Sequence, residues 1–241
     1  MGNLIIDIGN TAVKAAFTEG VTLGKTFRYQ GERVKNFILS LTAREKPEVM
    51  VISSVYEIQS GDEADYAAVC GRLVILDSAH TSFFRENNLP EWISPDRAAS
   101  IIAVRHLFNG KSCTIIDFGT TLTVDFIDNE GRYEGGNISL GCRTRFKAIN
   151  RYSRSLPLID TPEDSPALGN SLDTSISSGI LSGIMFEIAG YVSEKQDNII
   201  VFTGGDANFF AKRIKNSIFV ICNLVLIGLA LIADGYVNEK N

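Results

Sequence analysis

Apolar residues fall into two kinds of run along this chain. Short continuous or alternating runs bounded by turn residues predict strands. They are Leu4–Ile6, Ala12–Phe17, Val49–Ser54, Leu73–Leu76, Ile115–Ile116, Leu122–Ile127, Ile199–Phe202 and Leu224–Leu226. Spacing near 3.6 residues predicts helices at about 32–45, 61–71, 96–108, 141–153, 174–194 and 206–216. The longest apolar stretch, Ile218–Ala233, is interrupted by Asn223 and Gly228. It is shorter than the ~20 residues of a membrane span and reads as a buried strand, a turn and a buried helix. Arg154–Ser171, with Pro157, Pro162, Pro166 and Gly169, carries no period and reads as a surface loop.

One run recurs. Residues 5–11 read Ile-Ile-Asp-Ile-Gly-Asn-Thr and residues 115–121, offset by 110, read Ile-Ile-Asp-Phe-Gly-Thr-Thr, with five of seven positions identical. Each copy sits between two apolar runs, which predicts a β-hairpin with its polar residues at the bend. Further strands and helices follow each hairpin. The expected fold is therefore a duplicated α/β architecture, residues 1–112 and 113–241, with the site in the cleft between the halves where the turns face each other.

Composition narrows the chemistry. With 45% hydrophobic and 21% charged residues the chain has the makeup of a folded globular protein. Its 23 basic and 28 acidic residues give 23 − 28 = −5, which argues against binding nucleic acid by broad phosphate neutralisation. Arg143, Arg145, Lys147, Arg151 and Arg154 then read as a solvated helix face. Cys70, Cys113, Cys142 and Cys222 form no CxxC pair, and the start lacks a basic and then long apolar leader. Reduced thiols, mostly small core residues, in a cytoplasmic protein that does not enter a membrane are expected. Two histidines, His80 in a loop and His106 on a helix, rule out a His-rich zinc site.

The repeated turns have the composition of a phosphate site. Gly9 has no Cβ, so a ligand can approach the backbone, and it tolerates the dihedrals of a tight turn. Amides from Gly9 through Thr11, with the Asn10 and Thr11 side chains, offer donors to phosphate oxygens. Asp7 can hold Mg²⁺ through waters, and Lys14 offers a point charge to terminal phosphates. Asp117-Phe118-Gly119-Thr120-Thr121 repeats the pattern. Thr203-Gly204-Gly205-Asp206 joins a strand to a helix, either as a flat seat for a nucleoside or as a plain connection capped by Asp206. Ser94-Pro95-Asp96-Arg97 is a good helix start, with Ser94 as N-cap and Pro95 at the first position. A helix N-terminus also favours an ionised Asp96, ready to accept a proton.

In this order, Asp-Ile-Gly-Asn-Thr, Asp-Arg before a helix, Asp-x-Gly-Thr, Gly-Gly-Asn-Ile and Thr-Gly-Gly-Asp resemble the type III pantothenate kinases. The resemblance runs from residue 4 to about 232. Those kinases belong to the acetate kinase, sugar kinase, Hsp70 and actin superfamily, so the resemblance implies two ribonuclease H-like domains. It implies ATP-dependent phosphorylation of pantothenate to 4′-phosphopantothenate, the first step of coenzyme A synthesis, by a homodimer requiring Mg²⁺ and a monovalent cation, K⁺ or NH₄⁺. Residues Asp7, Ile8, Gly9, Asn10, Thr11, Ala12, Val13 and Lys14 match the ATP loop, and Thr120 a nucleotide contact. Asp96 matches the catalytic base, Ser94, Pro95 and Arg97 the substrate segment, and Asp117 the monovalent-cation ligand. Arg97 would take the pantothenate carboxylate in a bidentate fork, with Trp92 near the substrate pocket. The chain departs from the family at Ser94, where Gly is usual, at Asn87 for a substrate Tyr, at Leu140 for Pro, and at Leu172 for Thr, with Thr174 two positions away. Relatives that act as accessory factors in transcription, and phosphotransferases or phosphohydrolases for other small substrates, are the alternative readings.

Overall fold

The computed structural model describes residues 2–238. Each repeated run does form a hairpin, and each hairpin opens a five-stranded sheet. In the first sheet β1 (Asn3–Ile8), β2 (Val13–Glu19) and β3 (Thr22–Tyr29) are antiparallel neighbours. After α1 (Val34–Thr42), strand β4 (Val49–Ser54) pairs parallel to β1; after α2 (Ser60–Ala68), β5 (Arg72–Leu76) pairs parallel to β4. The order is β3-β2-β1-β4-β5. Two helices follow, α3 (Ser82–Glu86) and α4 (Pro95–Leu107).

The second sheet repeats that plan. Strands β6 (Cys113–Phe118), β7 (Thr121–Ile127) and β8 (Tyr133–Leu140) form the antiparallel part. Helices α5 (Cys142–Tyr152) and α6 (Leu172–Glu194) precede β9 (Ile199–Gly204), which pairs parallel to β6. After α7 (Ala207–Ala211), β10 (Ile218–Val220) pairs parallel to β9, and α8 (Leu224–Asn238) ends the described chain. The order β10-β9-β6-β7-β8 is the first sheet's order read from the other edge. Two sheets with the same connectivity, each with covering helices, are the duplicated ribonuclease H-like architecture.

The chain divides into two compact units: residues up to Asn109 with those from Asn223 onward, and Gly110–Cys222. The expected division at 112/113 therefore differs for the last segment. Leu224–Leu226, expected as a strand, opens α8, and the strand of that stretch is Ile218–Val220. The cause is the apolar repeat itself. Leu224, Val225, Leu226, Gly228, Leu229, Ala230, Ile232 and Ala233 are buried, and a helix apolar nearly all round must be enclosed. α8 lies against α4 and against β1 and β4. A Cβ at Gly228 would come within 1.9 Å of the Ala99 carbonyl oxygen, so glycine sets that helix–helix approach.

Burial alternation explains which strands the hydrophobic pattern misses. β3 and β8 are half-exposed edge strands without an apolar run. The helix expected at 206–216 is only Ala207–Ala211. Leu172–Glu194 is long and apolar enough to cross a membrane, but Ile176, Ile180, Leu181, Ile184, Ile188 and Val192 bury it in the core of the second unit. Arg154–Ser171 forms neither helix nor strand after residue 152 until α6. Three cysteines are buried, and burial pushes the Cys113 thiol up to about 11; Cys222 is exposed, contrary to a core role.

Candidate active site

Strand alternation decides which face of the first hairpin carries chemistry. Leu4, Ile6 and Ile8 enter the apolar cluster containing Ile38, Tyr66 and Cys70 from the α1–α2 side. Ile5 and Asp7 therefore point to the opposite face, the one covered by α4 and α8. Asp7 is opposite Lys14 on β2 and Ser53 on β4. The Ser53 hydroxyl donates to Asp7 Oδ1 at 3.4 Å. A carboxylate, an ammonium and a hydroxyl thus share one face at the C-terminal end of β1, with cross-strand Cβ atoms ~5 Å apart.

The turn beyond them is closed by Gly9 N–H donating to Ala12 O at 3.2 Å. Asn10 and Thr11 stand exposed at its tip. Gly9 is not among the described glycines with positive φ, so special dihedrals are not its reason. A Cβ there would lie 3.5 Å from Ala12 O, an ordinary contact. What glycine leaves at this turn is bare backbone. At the same hairpin end lies a cavity of about 390 Å³, lined by the turn residues Gly9 to Ala12 together with Tyr29, Tyr56 and Tyr66 among others.

α4 begins as its sequence dictates, with Ser94 at the N-cap in an extended conformation and Pro95 in the first turn. The Ser94 hydroxyl makes no capping bond; Asp96 Oδ1 instead accepts the Arg97 backbone N–H at 2.9 Å. The partly exposed Asp96 carboxylate thus sits on the first turn of a 13-residue helix, beside its N-terminal partial positive charge. Arg97 is 4% exposed, and its guanidinium carbon is 5.8 Å from the centroid of the exposed Trp92 ring. Asn87 works structurally: its side-chain amide donates to Phe83 O and its backbone carbonyl accepts from Arg105 Nη1. His80 is held by Asp77 at 2.8 Å. Burial alone would raise the Asp77 pKa, but hydrogen bonds from Ile58 N–H, the His80 ring, and the Ala79 and His80 amides overcome it and hold that carboxyl below its usual range.

In the second unit Asp117 lies opposite Thr123 on β7 and Thr203 on β9. Backbone bonds close its turn: Gly119 N–H donates to Thr121 O at 3.0 Å, and Asp206 N–H to Phe118 O at 3.3 Å. Thr120 O accepts both Gly141 N–H at 3.0 Å and the Thr144 hydroxyl at 2.6 Å. Two glycines are forced here. A Cβ at Gly141 would sit 2.0 Å from Gly119 O. One at Gly204, whose φ is +92°, would sit 2.4 Å from Asp117 Oδ1. The space beside the Asp117 carboxylate is kept by the absence of that methyl. Its two neighbours in register, Thr123 and Thr203, carry hydroxyl oxygens, a ligand type that suits a hard cation. No cluster of three or more His, Cys, Asp or Glu able to hold a metal occurs among the described residues. Burial raises the Asp206 pKa, against the pull of Arg143, and its side chain makes no capping bond to α7.

Several side chains have other roles than their types imply. Thr174 does not stand free at the start of α6: its hydroxyl and Ser171 form a reciprocal capping box, with Ser171 N–H donating to Thr174 Oγ1 at 2.9 Å. Arg145 is not simply a solvated face, since it pairs with Glu187 and donates to Leu140 O. Ser53, Thr123 and Thr203 escape sequence reasoning because they are ordinary strand residues. Only register places them beside Asp7 and Asp117, and their signal is a hydroxyl in phase with each turn carboxylate.

A family model described as type III pantothenate kinase matches residues 3–194. A type III pantothenate kinase from Flavobacterium psychrophilum is 36% identical over 231 residues, covering 92% of this chain and 95% of that protein. One from Cytophaga hutchinsonii is also 36% identical, covering 94% and 96% respectively. Among solved structures, a Campylobacter jejuni protein assigned to the Baf family of transcriptional activators superposes with a TM-score of 0.66 at 21% identity, covering 98% of this chain and 99% of that one. A ROK hexokinase from Thermus thermophilus gives 0.55 at 15% identity over the full length of both chains. These structural likenesses concern the fold.

Proposed function

Because this chain belongs to the type III pantothenate kinase family, we propose that it transfers the γ-phosphoryl group of ATP to the hydroxyl of pantothenate, giving 4′-phosphopantothenate for coenzyme A synthesis. The observation that carries the reading is the family match across residues 3–194, which spans both acidic turns and Asp96. In the reaction the substrate hydroxyl loses its proton to Asp96 as its oxygen bonds to phosphorus. The bond from that phosphorus to the β–γ bridging oxygen breaks, and ADP leaves.

The roles divide by element. The backbone and side chains of residues 7–14 hold the phosphates, with Lys14 placing positive charge beside Asp7. Thr120 belongs to the nucleotide contact of the second turn. Ser94, Pro95 and Arg97 form the pantothenate segment beside Trp92, and the Arg97 guanidinium meets the substrate carboxylate. Mg²⁺, when bound, neutralises developing phosphate charge, and Asp7 with its neighbouring hydroxyl fits a water-held ion. Asp117, flanked by two threonines, fits the monovalent cation, K⁺ or NH₄⁺. A homodimer is part of the same reading and rests on the resemblance to the family. A net charge of −5 and four free cysteines support a cytoplasmic enzyme that takes small molecules, with neither nucleic acid nor a membrane as partner.

A coupled assay of ADP release tests the reading. Release that requires pantothenate and is faster in K⁺ than in Na⁺ is the expected result. Absence of release in both salts would make the chain a binding protein, and release without pantothenate would make it a hydrolase.

A further inference from the structure

The tip of the first turn is held by side chains from outside it. The Tyr56 hydroxyl lies 3.1 Å from Asn10 Oδ1, spanning from the β4–α2 connection to the turn. Tyr56 is itself anchored. The buried Ser54 hydroxyl donates to Tyr56 O at 2.6 Å and accepts Tyr56 N–H at 3.1 Å. Between them, Val55 N–H donates to Ile8 O at 3.1 Å, so the β4 end is fastened to the β1 end beside the turn. The ring thus stands as a strut of fixed length between a buried hydroxyl and the Asn10 amide.

An asparagine amide has one acceptor end and one donor end. Phosphate oxygens only accept. A phenol that takes Asn10 Oδ1 leaves Nδ2, with its two hydrogens, for the ligand side of the turn. Without the phenol the exposed amide rotates and flips freely, and half of its orientations present oxygen to phosphate oxygen. We infer that Tyr56 is a positioning residue for the ATP phosphates, acting through Asn10 by fixing the direction of its amide. The inference rests on residues 7–14 being the ATP loop, and it deepens that reading by naming what orders the loop before nucleotide arrives. Tyr56 also lines one cavity together with the turn residues Gly9, Asn10, Thr11 and Ala12, so its ring stands beside the turn that it braces.

The test is a double-mutant cycle on the full chain, with Tyr56→Phe, Asn10→Ala and the pair. ATP and pantothenate are varied separately, and ADP binding is measured by calorimetry. Tyr56→Phe keeps the ring, so its melting temperature should match the parent. Its KM for ATP should rise about 3- to 10-fold, the range of one lost hydrogen bond, with the KM for pantothenate unchanged. In the Asn10→Ala background Tyr56→Phe should add nothing further. If Tyr56→Phe leaves the ATP KM within twofold while Asn10→Ala raises it, the strut is overturned and the ATP loop stands. Additive effects of the two changes also overturn it. If Asn10→Ala itself leaves ATP KM and ADP binding unchanged, the loop reading falls and the inference with it.

Discussion

The two acidic turns share a sequence pattern and differ in what holds them. The first is braced by side chains: Tyr56 reaches Asn10, and the Gln30 amide lies 3.5 Å from Thr11 O. The second is braced mostly by backbone, through Gly141 N–H, Asp206 N–H and the Thr144 hydroxyl. Their carboxylates differ in the same way. Asp7 has a lysine directly across the hairpin, whereas Asp117 has threonines on both neighbouring strands. A carboxylate with its own ammonium suits a site where phosphate charge must be balanced. Duplication supplied one skeleton twice, and the in-register partners distinguish the two turns: a lysine across from Asp7, threonines beside Asp117.

The largest expected effect lies outside both turns. If the turns bind and Asp96 carries the proton, Asp96→Asn should lower kcat by about 10²- to 10⁴-fold. ATP affinity and the melting temperature should stay close to those of the parent, because Asp96 is partly exposed and its carboxylate accepts the adjacent Arg97 amide. Steady-state kinetics with calorimetric ATP binding check this, and near-normal turnover would remove Asp96 as the base. Next in size is the second turn's intolerance of side chains. Gly204→Ala places a methyl 2.4 Å from Asp117 Oδ1 at a φ of +92°, and such backbone strain alone costs about 1–3 kcal/mol. Urea unfolding should show at least that loss, and an unchanged midpoint would mean the turn relaxes more easily than its backbone bonds imply.

The balance of charge separates the turns further. Asp117→Asn should raise the K⁺ concentration for half-maximal activity by about tenfold or more, the effect of removing one charge-assisted contact. Asp7→Asn should leave the K⁺ curve in place and shift the Mg²⁺ requirement instead. Titrations of both cations on both variants check the assignment. If Asp7→Asn moves the K⁺ curve as strongly as Asp117→Asn, the division of roles is wrong.

How much of this was legible in the chain depends on range. The hairpins were legible because two apolar runs flank Asp-x-Gly-x-Thr in each half, and the α4 start because Ser94-Pro95-Asp96 is local chemistry. The edge strands β3 and β8 were not, because half-exposed strands carrying Gly24, Gly135 and Gly136 lack an apolar run. Leu224–Leu226 misled because a short apolar segment fits a strand or a buried helix equally well, and only packing against α4 decides. The oxygen partners of Asp7 and Asp117 were invisible for a different reason. Ser53 and Thr203 are 46 and 86 residues away from them in sequence, and register alone brings them alongside. Thr174 shows the opposite error: its type invites a substrate role, while its hydroxyl is engaged in capping α6.

The smallest effect gives the finest comparison. Gly9 and Gly119 hold equivalent places in the two turns, and a Cβ on either would meet its nearest atom at 3.5 Å. Neither has the positive φ that would strain alanine. Gly9→Ala and Gly119→Ala should therefore change stability by less than about 0.5 kcal/mol, as surface substitutions usually do. Their catalytic consequences should separate. If the phosphates approach the backbone at Gly9 as proposed, the methyl there should raise the ATP KM while the unfolding midpoint stays put. The measurement pairs urea unfolding with ATP saturation curves for each variant. A loss of stability at Gly9 comparable to that at Gly204 would mean that glycine is there for the fold. An unchanged ATP KM would mean that the phosphates do not come close to that backbone.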